Sequence, residues 1–198
     1  MAHVIFLHGA SSSGKSTIAR ALQKRIEKPF WHISIDHLRD AGVLPTERFR
    51  NGDFRWSGAR MAFFNGFHGS LRAYADAGNN LILEHILDTE GWLETLVDLL
   101  AEHDVMFVAV HCPLETLIER ETARGDRPIG SSRQDFETIH VEKTYDIELQ
   151  SDDGVDANVE KLLVAWRNGL RSSNFAKPTS AWGRSPTIDQ ILSAEEGS

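Results

Sequence analysis

A single cysteine, Cys112, stands in the 198 residues, so no internal disulfide framework can staple the fold. One lone thiol is compatible with a reducing compartment. Long apolar runs are missing as well, and none approaches the roughly 20 residues that a membrane span requires. The N-terminus lacks the layout of a signal peptide and enters an apolar run almost at once. The expected location is therefore the cytoplasm, with no membrane partner. Nor is there a broad basic field: 29 acidic residues against 21 basic ones give a formal net charge of −8, which argues against a nucleic-acid partner. No internal repeat is visible. What remains has the composition of an ordinary globule, 41% apolar and 25% charged. A chain of this length suggests one domain with a possible appendage, and folding buries roughly 70% of its surface.

The clearest positive feature is Gly9-Ala10-Ser11-Ser12-Ser13-Gly14-Lys15-Ser16-Thr17, which fits G-x-x-x-x-G-K-[ST]. Val4-Ile5-Phe6-Leu7 precedes it as an apolar run of strand length, and Ile18, Ala19, Leu22 and Ile26 follow at helical spacing. Strand, glycine-rich loop and amphipathic helix is the order of a phosphate-binding loop. Gly9 and Gly14 permit backbone angles closed to other residues, and their missing Cβ atoms let phosphate oxygens approach the main chain. The new helix aims its unpaired N–H groups and positive dipole end at the same anion. In this motif Lys15 reaches the β- and γ-phosphates and the Ser16 hydroxyl ligates Mg²⁺.

Further along, apolar runs alternate with amphipathic segments, the pattern of a parallel sheet wrapped by helices. Strands are predicted at 3–8, 31–35, 80–87 and 105–111, with a short edge strand at 145–149 from the alternation of Tyr145, Ile147 and Leu149. Helices are predicted at 15–27, 58–77, 90–102, 113–124, 132–142 and 155–171. Residues 40–58 break periodicity and mix Gly, Pro, Arg and aromatics, as either a substrate-facing loop or an exposed connection. After Ser172 the composition changes, so the predicted division is a domain over 1–172 and an extension over 173–198, partly docked through Phe175 and Trp182 or disordered.

Three constellations can carry chemistry. Asp36 stands at the carboxyl end of the second strand, where open parallel sheets bind ligands. There it can take the proton of a substrate hydroxyl attacking a γ-phosphate, or it can cap a helix. Glu84 ends the third run and can serve Mg²⁺, or it can pair with a neighbouring base. Arg120, Arg124, Arg127 and Arg133 can stabilise a transferring phosphoryl group, while arginines just before Gly125 also suit a helix C-terminus. His8, His85, His111 and Cys112 fall at strand ends as a conceivable zinc set, but no close ligand pair such as C-x₂-C accompanies them.

Read together, the loop from Gly9 to Ser16, Ile35-Asp36-His37-Leu38, Arg120-Glu121-Thr122-Ala123-Arg124-Gly125-Asp126-Arg127, His140 and Tyr145-Asp146-Ile147-Glu148 resemble the chloramphenicol phosphotransferase-like family of small P-loop kinases. The resemblance spans roughly residues 3–170. It implies a three-layer α/β P-loop kinase fold, with a five-stranded parallel sheet flanked by helices and an arginine-rich lid. It further implies transfer of the γ-phosphate of ATP, with Mg²⁺, to a hydroxyl of a small molecule. Residues Gly9 to Thr17, Arg120 and Arg124 are then expected to hold the nucleotide and Ser16 and Glu84 the metal, and by the resemblance Asp36 is the general base. Lys15, Arg124 and Arg127 then act on the transferring group. The family's third strand ends in two aspartates, whereas this chain has Glu84-His85. The segment 43–68, with Phe49, Phe54, Trp56, Phe63, Phe64 and Phe67, shows no match and is where acceptor identity is set. Two other readings stay open. Arg39, Arg48, Arg50, Arg55 and Arg60 would suit a nucleoside or nucleotide kinase, and a nucleotide-binding regulatory switch would need no phosphotransfer.

Overall fold

His3–His8 forms strand β1, whose last five residues are buried, and it lies at the centre of the sheet. The computed structural model of the chain describes residues 1–124 and 130–176, with Arg124 in its backbone only. After β1 come α1 (Lys15–Gln23), β2 (Phe30–Ser34), α2 (Ile35–Asp40), α3 (Thr46–Arg50) and α4 (Trp56–Asp76). Then follow β3 (Asn80–His85), α5 (Trp92–Leu99), β4 (Asp104–His111), α6 (Leu114–Arg124), α7 (Ser131–Thr138), β5 (Ile147–Gln150) and α8 (Val155–Asn168).

The five strands pair in the order β2-β3-β1-β4-β5, every pair parallel. The near-continuous apolar runs of β1, β3 and β4 follow from this, because a parallel sheet with crossover helices is covered on both faces. One face sets Phe6, Leu83 and Phe107 against Phe64, Phe67 and Leu71 of α4 and Leu96 of α5. The opposite face sets Ile5, Ile82 and Val108 against Ile18 and Leu22 of α1 and Leu162 of α8. The result is the expected three layers.

Several boundaries differ from the sequence reading, each for a local reason. The second strand covers 30–34 rather than 31–35, because the Ser34 side chain accepts the Asp36 N–H at 3.2 Å and starts α2 at Ile35. Asp36 therefore sits in the first turn of α2, and Ser34 takes the capping role. The stretch 40–58 is not one loop, since it contains α3 and the first residues of α4. Tyr145 precedes the edge strand: pairing with β4 begins at Ile147 opposite Val108. The helix expected over 132–142 stops at Thr138, and α5 starts at Trp92, just after Gly91 at φ 80°. Helix α8 ends at Asn168 because Gly169 takes a left-handed φ of 68°, three residues short of the expected end.

Residues 172–176 run back onto the sheet. The Asp146 carboxylate accepts the Phe107 N–H at 2.7 Å and the Ser172 and Ser173 N–H groups at 2.6 and 3.0 Å. Phe175 then packs its ring 5.1 Å from that of Phe107. Trp182 lies outside the described residues. Among those described, no helix is long and apolar enough to cross a membrane.

Candidate functional site

Between β1 and α1 the chain wraps a cleft of about 510 Å³, lined by Ser11 to Ile18 together with Asp36, Glu84, His85 and Arg120. Ser12 at φ 65° and Gly14 at φ 99° give the loop its left-handed turns. Gly14 is also the N-cap residue of α1 and supplies no capping side chain, so the first N–H groups of the helix are open to an anion. The lack of a Cβ at Gly9 has a different cause from the one expected. A Cβ there would lie 2.4 Å from the Val110 carbonyl oxygen, so the glycine lets the loop leave β1 against the backbone of β4. Lys15 is buried, and its ammonium donates to the Gly9 and Ala10 carbonyls at 2.8 and 2.7 Å, folded back onto the loop.

Glu84 projects toward α1. One carboxylate oxygen accepts the Ser16 hydroxyl proton at 2.8 Å and the other is held by the His32 imidazole. Burial pushes the Glu84 carboxyl up, but the hydrogen bonds from His32 and Ser16 and the charges of His32 and Lys15 bring it below its usual value. The two readings of Glu84 thus coincide in one residue, which pairs with a base and with the loop. A hydroxyl and an ionised carboxylate beside a phosphate cleft form the hard oxygen donor set that Mg²⁺ prefers. Donation of the Ser16 proton to Glu84 turns the hydroxyl's lone pairs away from that carboxylate, as a cation ligand requires.

On the other side of the sheet edge, Ile35 and Asp36 line both the phosphate cleft and a second cavity of about 400 Å³. Phe49, Trp56, Phe63 and Phe64 wall this second cavity, packed edge to face with ring centroids 5.5 to 5.7 Å apart along the series. Four aromatics of the stretch 43–68 therefore wall a pocket that opens on Asp36. Arg39 meets the Asp36 carboxylate at 3.0 Å, and Arg60 donates to Asp88 at 2.8 Å with its guanidinium over the Phe64 and Trp92 rings.

Arg120 reaches from α6 to the loop, donating to the Ser12 carbonyl at 2.9 Å, so it serves the loop rather than the end of its own helix. Arg133 is exposed on α7. The Arg124 side chain and Arg127, assigned to the lid, lie outside the described residues. The neighbouring Glu121 caps α7, accepting the N–H groups of Gly130 and Ser132 at 3.1 and 3.0 Å and the Ser131 hydroxyl. Those bonds hold its carboxyl down to about 2.

The histidines at the strand ends go to separate partners. The Tyr145 hydroxyl bridges Nδ1 of His8 and Nδ1 of His140 at 2.9 and 2.8 Å, and His111 meets Glu148 at 2.7 Å. His85 turns away from Glu84 and joins His68 of α4, Nε2 to Nε2 at 2.9 Å, among Phe64, Phe67 and Trp92. Burial pushes His85 down to about 3 and His68 and His140 to about 4. Cys112 packs with Ala10, Leu117 and Ile139. Among the described residues no three His, Cys, Asp or Glu side chains are grouped to hold a metal ion.

Two site residues escaped the sequence reading. His32 is a polar residue inside the short strand Phe30–Ser34, a signal that alternation alone could have raised. Asp135 of α7 accepts the Ser11 N–H at 3.3 Å across 124 residues, and nothing local announces it.

The fold is similar to that of the Mycobacterium tuberculosis APS kinase solved with AMPPNP and APS, with a TM-score of 0.59 and 19% identity over 84% of this chain and 98% of that one. It is similar to a gluconokinase from Sinorhizobium meliloti to the same TM-score, at 16% identity over 84% and 92% of the two chains. In sequence the chain is 31% identical over 169 residues to a protein of Mycobacterium tuberculosis strain CDC 1551, provisionally named an O-phosphotransferase, covering 75% of this chain and 74% of that protein. The model of the chloramphenicol phosphotransferase-like proteins matches residues 2–164, and this chain belongs to that family, on the sheet and loop of a P-loop kinase.

Proposed function

We propose that the protein transfers the γ-phosphoryl group of ATP to a hydroxyl of a small molecule, with Asp36 as the general base. Family membership and the P-loop kinase fold make the chain a phosphotransferase. The finer reading rests on one observation above all: Asp36 lines both the phosphate cleft and the aromatic cavity beside it. An acceptor seated in that cavity presents its hydroxyl to the Asp36 carboxylate and to the terminal phosphate at once.

In the proposed step the acceptor oxygen bonds to the γ-phosphorus while the bond from that phosphorus to the β,γ-bridging oxygen breaks. Asp36 takes the hydroxyl proton and ADP leaves. The loop amides from Gly9 to Thr17 cradle the phosphates, and Lys15, released from the Gly9 and Ala10 carbonyls, turns to the developing charge. Arg120, fixed on the Ser12 carbonyl, stands at the edge of the same cleft. Ser16 and Glu84 would hold Mg²⁺, which supplies charge neutralisation to the phosphate oxygens when bound. Aromatic walls exclude water from the acceptor side, favouring transfer to a hydroxyl over hydrolysis.

The arginines that would mark a nucleotide acceptor are mostly engaged. Arg39 pairs with Asp36 and Asp40, Arg48 with Asp53 and Arg60 with Asp88, which leaves Arg50 as the cavity arginine without a paired carboxylate among the described residues. A neutral or weakly charged acceptor fits that balance better.

The test is an ADP-release screen of hydroxylated small molecules, with Asp36→Asn and Lys15→Ala beside the wild type. Asp36→Asn is expected to keep ATP binding and lose roughly 10²- to 10⁴-fold in turnover. Lys15→Ala is expected to lose both. Near-normal turnover by Asp36→Asn removes it as the base, and ATP binding without ADP release from any acceptor supports a regulatory switch instead.

A further inference from the structure

His85 lines the phosphate cleft, one residue beyond Glu84. Strand alternation sends Glu84 to α1 and sends His85 to the opposite face, toward α4 and α5. There its Nε2 is tied to Nε2 of His68 at 2.9 Å, and its ring stacks on Phe64 at 5.6 Å and on Trp92 at 5.2 Å. Only one of the two joined nitrogens can carry the proton between them. Nδ1 of His68 is buried and has no hydrogen-bond partner among the described residues. If His85 were the donor, the proton of neutral His68 would sit on that isolated Nδ1, an orphan buried N–H of the kind folded proteins almost never keep. Placing the proton on Nε2 of His68, which then donates to Nε2 of His85, leaves the same Nδ1 as an unpaired acceptor, the less costly of the two orphans. The remaining proton of His85 is then on Nδ1, the ring nitrogen that can face a molecule in the cleft.

We propose that His85 is a specificity-determining residue, presenting a fixed Nδ1–H donor to an oxygen of the phosphate acceptor, and that His68 positions it by fixing the tautomer. The inference rests on the phosphotransferase reading above. His85 lines the phosphate cleft together with Asp36, and Asp36 also lines the aromatic cavity, so the oxygen that His85 meets is assigned to the acceptor at the junction of the two. Ser16, Lys15 and Glu84 gather on the α1 side, whereas Phe64, stacked on His85, also lines the aromatic cavity. A donor that cannot turn into an acceptor selects molecules with an oxygen lone pair near the hydroxyl that is phosphorylated, such as a vicinal diol or a hydroxy-carbonyl compound. It discriminates against the same skeleton without that oxygen, since binding would leave the Nδ1–H unpaired. It is not a base in the reaction, because Nε2 is already occupied by His68.

The experiment has two arms on the full chain. In the first, long-range ¹H–¹⁵N spectra of the histidine rings report the tautomers, with His85→Asn and His68→Phe assigning the signals. A protonated Nδ1 and an unprotonated Nε2 on His85 are expected, and a proton on Nε2 of His85 overturns the inference by itself. In the second, ADP release is compared for 1-phenylethane-1,2-diol and 2-phenylethanol, and MgATP affinity is measured by calorimetry. The diol is expected to be the better acceptor. His85→Phe should raise its KM about 3- to 10-fold, the worth of one neutral hydrogen bond, with MgATP affinity nearly unchanged. His85→Asn, whose amide N–H takes the place of Nδ1–H, should recover most of that loss. A His85→Phe effect on MgATP affinity instead of acceptor KM assigns the donor to the phosphate and overturns the proposal, as does an equal KM for the two alcohols. Failure of every alcohol in the wider screen to release ADP defeats the phosphotransferase reading, which the tautomer result does not touch.

Discussion

The Ser16 hydroxyl donates to Glu84 at 2.8 Å, joining the first turn of α1 to the end of β3 across 68 residues. His32 holds the other oxygen of the same carboxylate, so the order of contact is imidazole, carboxylate, hydroxyl, cleft.

Glu84→Gln keeps the shape of that link and removes its charge. The MgATP dissociation constant is expected to rise about 10- to 100-fold, the usual cost of disturbing groups that orient a metal ligand. ATP affinity in EDTA should change little. Calorimetric titrations with and without Mg²⁺ check the difference, and an equal loss in both would show that Glu84 shapes the loop rather than the metal site.

Gly9→Ala places a methyl group 2.4 Å from the Val110 carbonyl oxygen, a backbone atom of β4 that cannot swing aside. The loop or the strand must move. A loss of about 1–3 kcal/mol in unfolding free energy is expected, together with weakened nucleotide binding. Urea unfolding and ATP titration measure the two effects, and a variant as stable as the wild type would contradict the close approach.

Acid should destabilise the fold well above the carboxylate range. His68 and His140 sit at about 4 and His85 at about 3, below their ordinary 6.5. Between those values the unfolded chain binds protons that the folded chain refuses. Stability is therefore full above about pH 6.5 and falls as pH drops toward 4. Urea midpoints from pH 7.5 to 4.5 should show this slope, and His140→Gln should flatten it by about one proton.

Glu121 behaves in the opposite chemical sense with the same outcome. Its folded value of about 2 lies below the ordinary 4.5, so its contribution is complete above pH 4.5 and is lost as pH falls toward 2. The stability gap between wild type and Glu121→Gln is expected to be widest near neutrality and to close in acid. A gap independent of pH would remove the charge of Glu121 as the anchor of α7.

What the sequence made legible was local. The apolar run Val4 to Leu7, the glycine-rich loop and the helical spacing of Ile18, Ala19 and Leu22 lie within 20 residues, and the structure brings Asp36 to the same cleft. Element ends were less legible, because a Ser34 cap or the left-handed Gly169 moves a boundary without changing the periodic pattern. Least legible were contacts between distant residues. His32 with Glu84, Asp135 with Ser11 and Tyr145 with His8 span 52, 124 and 137 residues, and only the sheet order brings them together. The pair Glu84-His85 was visible at the end of an apolar run, but the direction His85 takes depends on His68, on a separate helix.

The position of β1 in the sheet also sets the order of events during synthesis. β1 and β2 are the first strands made, yet they are not paired with each other. β2 pairs with β3, and β1 with β3 and β4. Neither early strand has a hydrogen-bonding neighbour until residues 80–85 have been made, and the backbone that presses on Gly9 arrives only with Val110. Contacts so distant in sequence form slowly. The segment that holds phosphate is thus encoded first and completed late, leaving the nascent apolar run at residues 4–7 in need of protection from other chains while it waits.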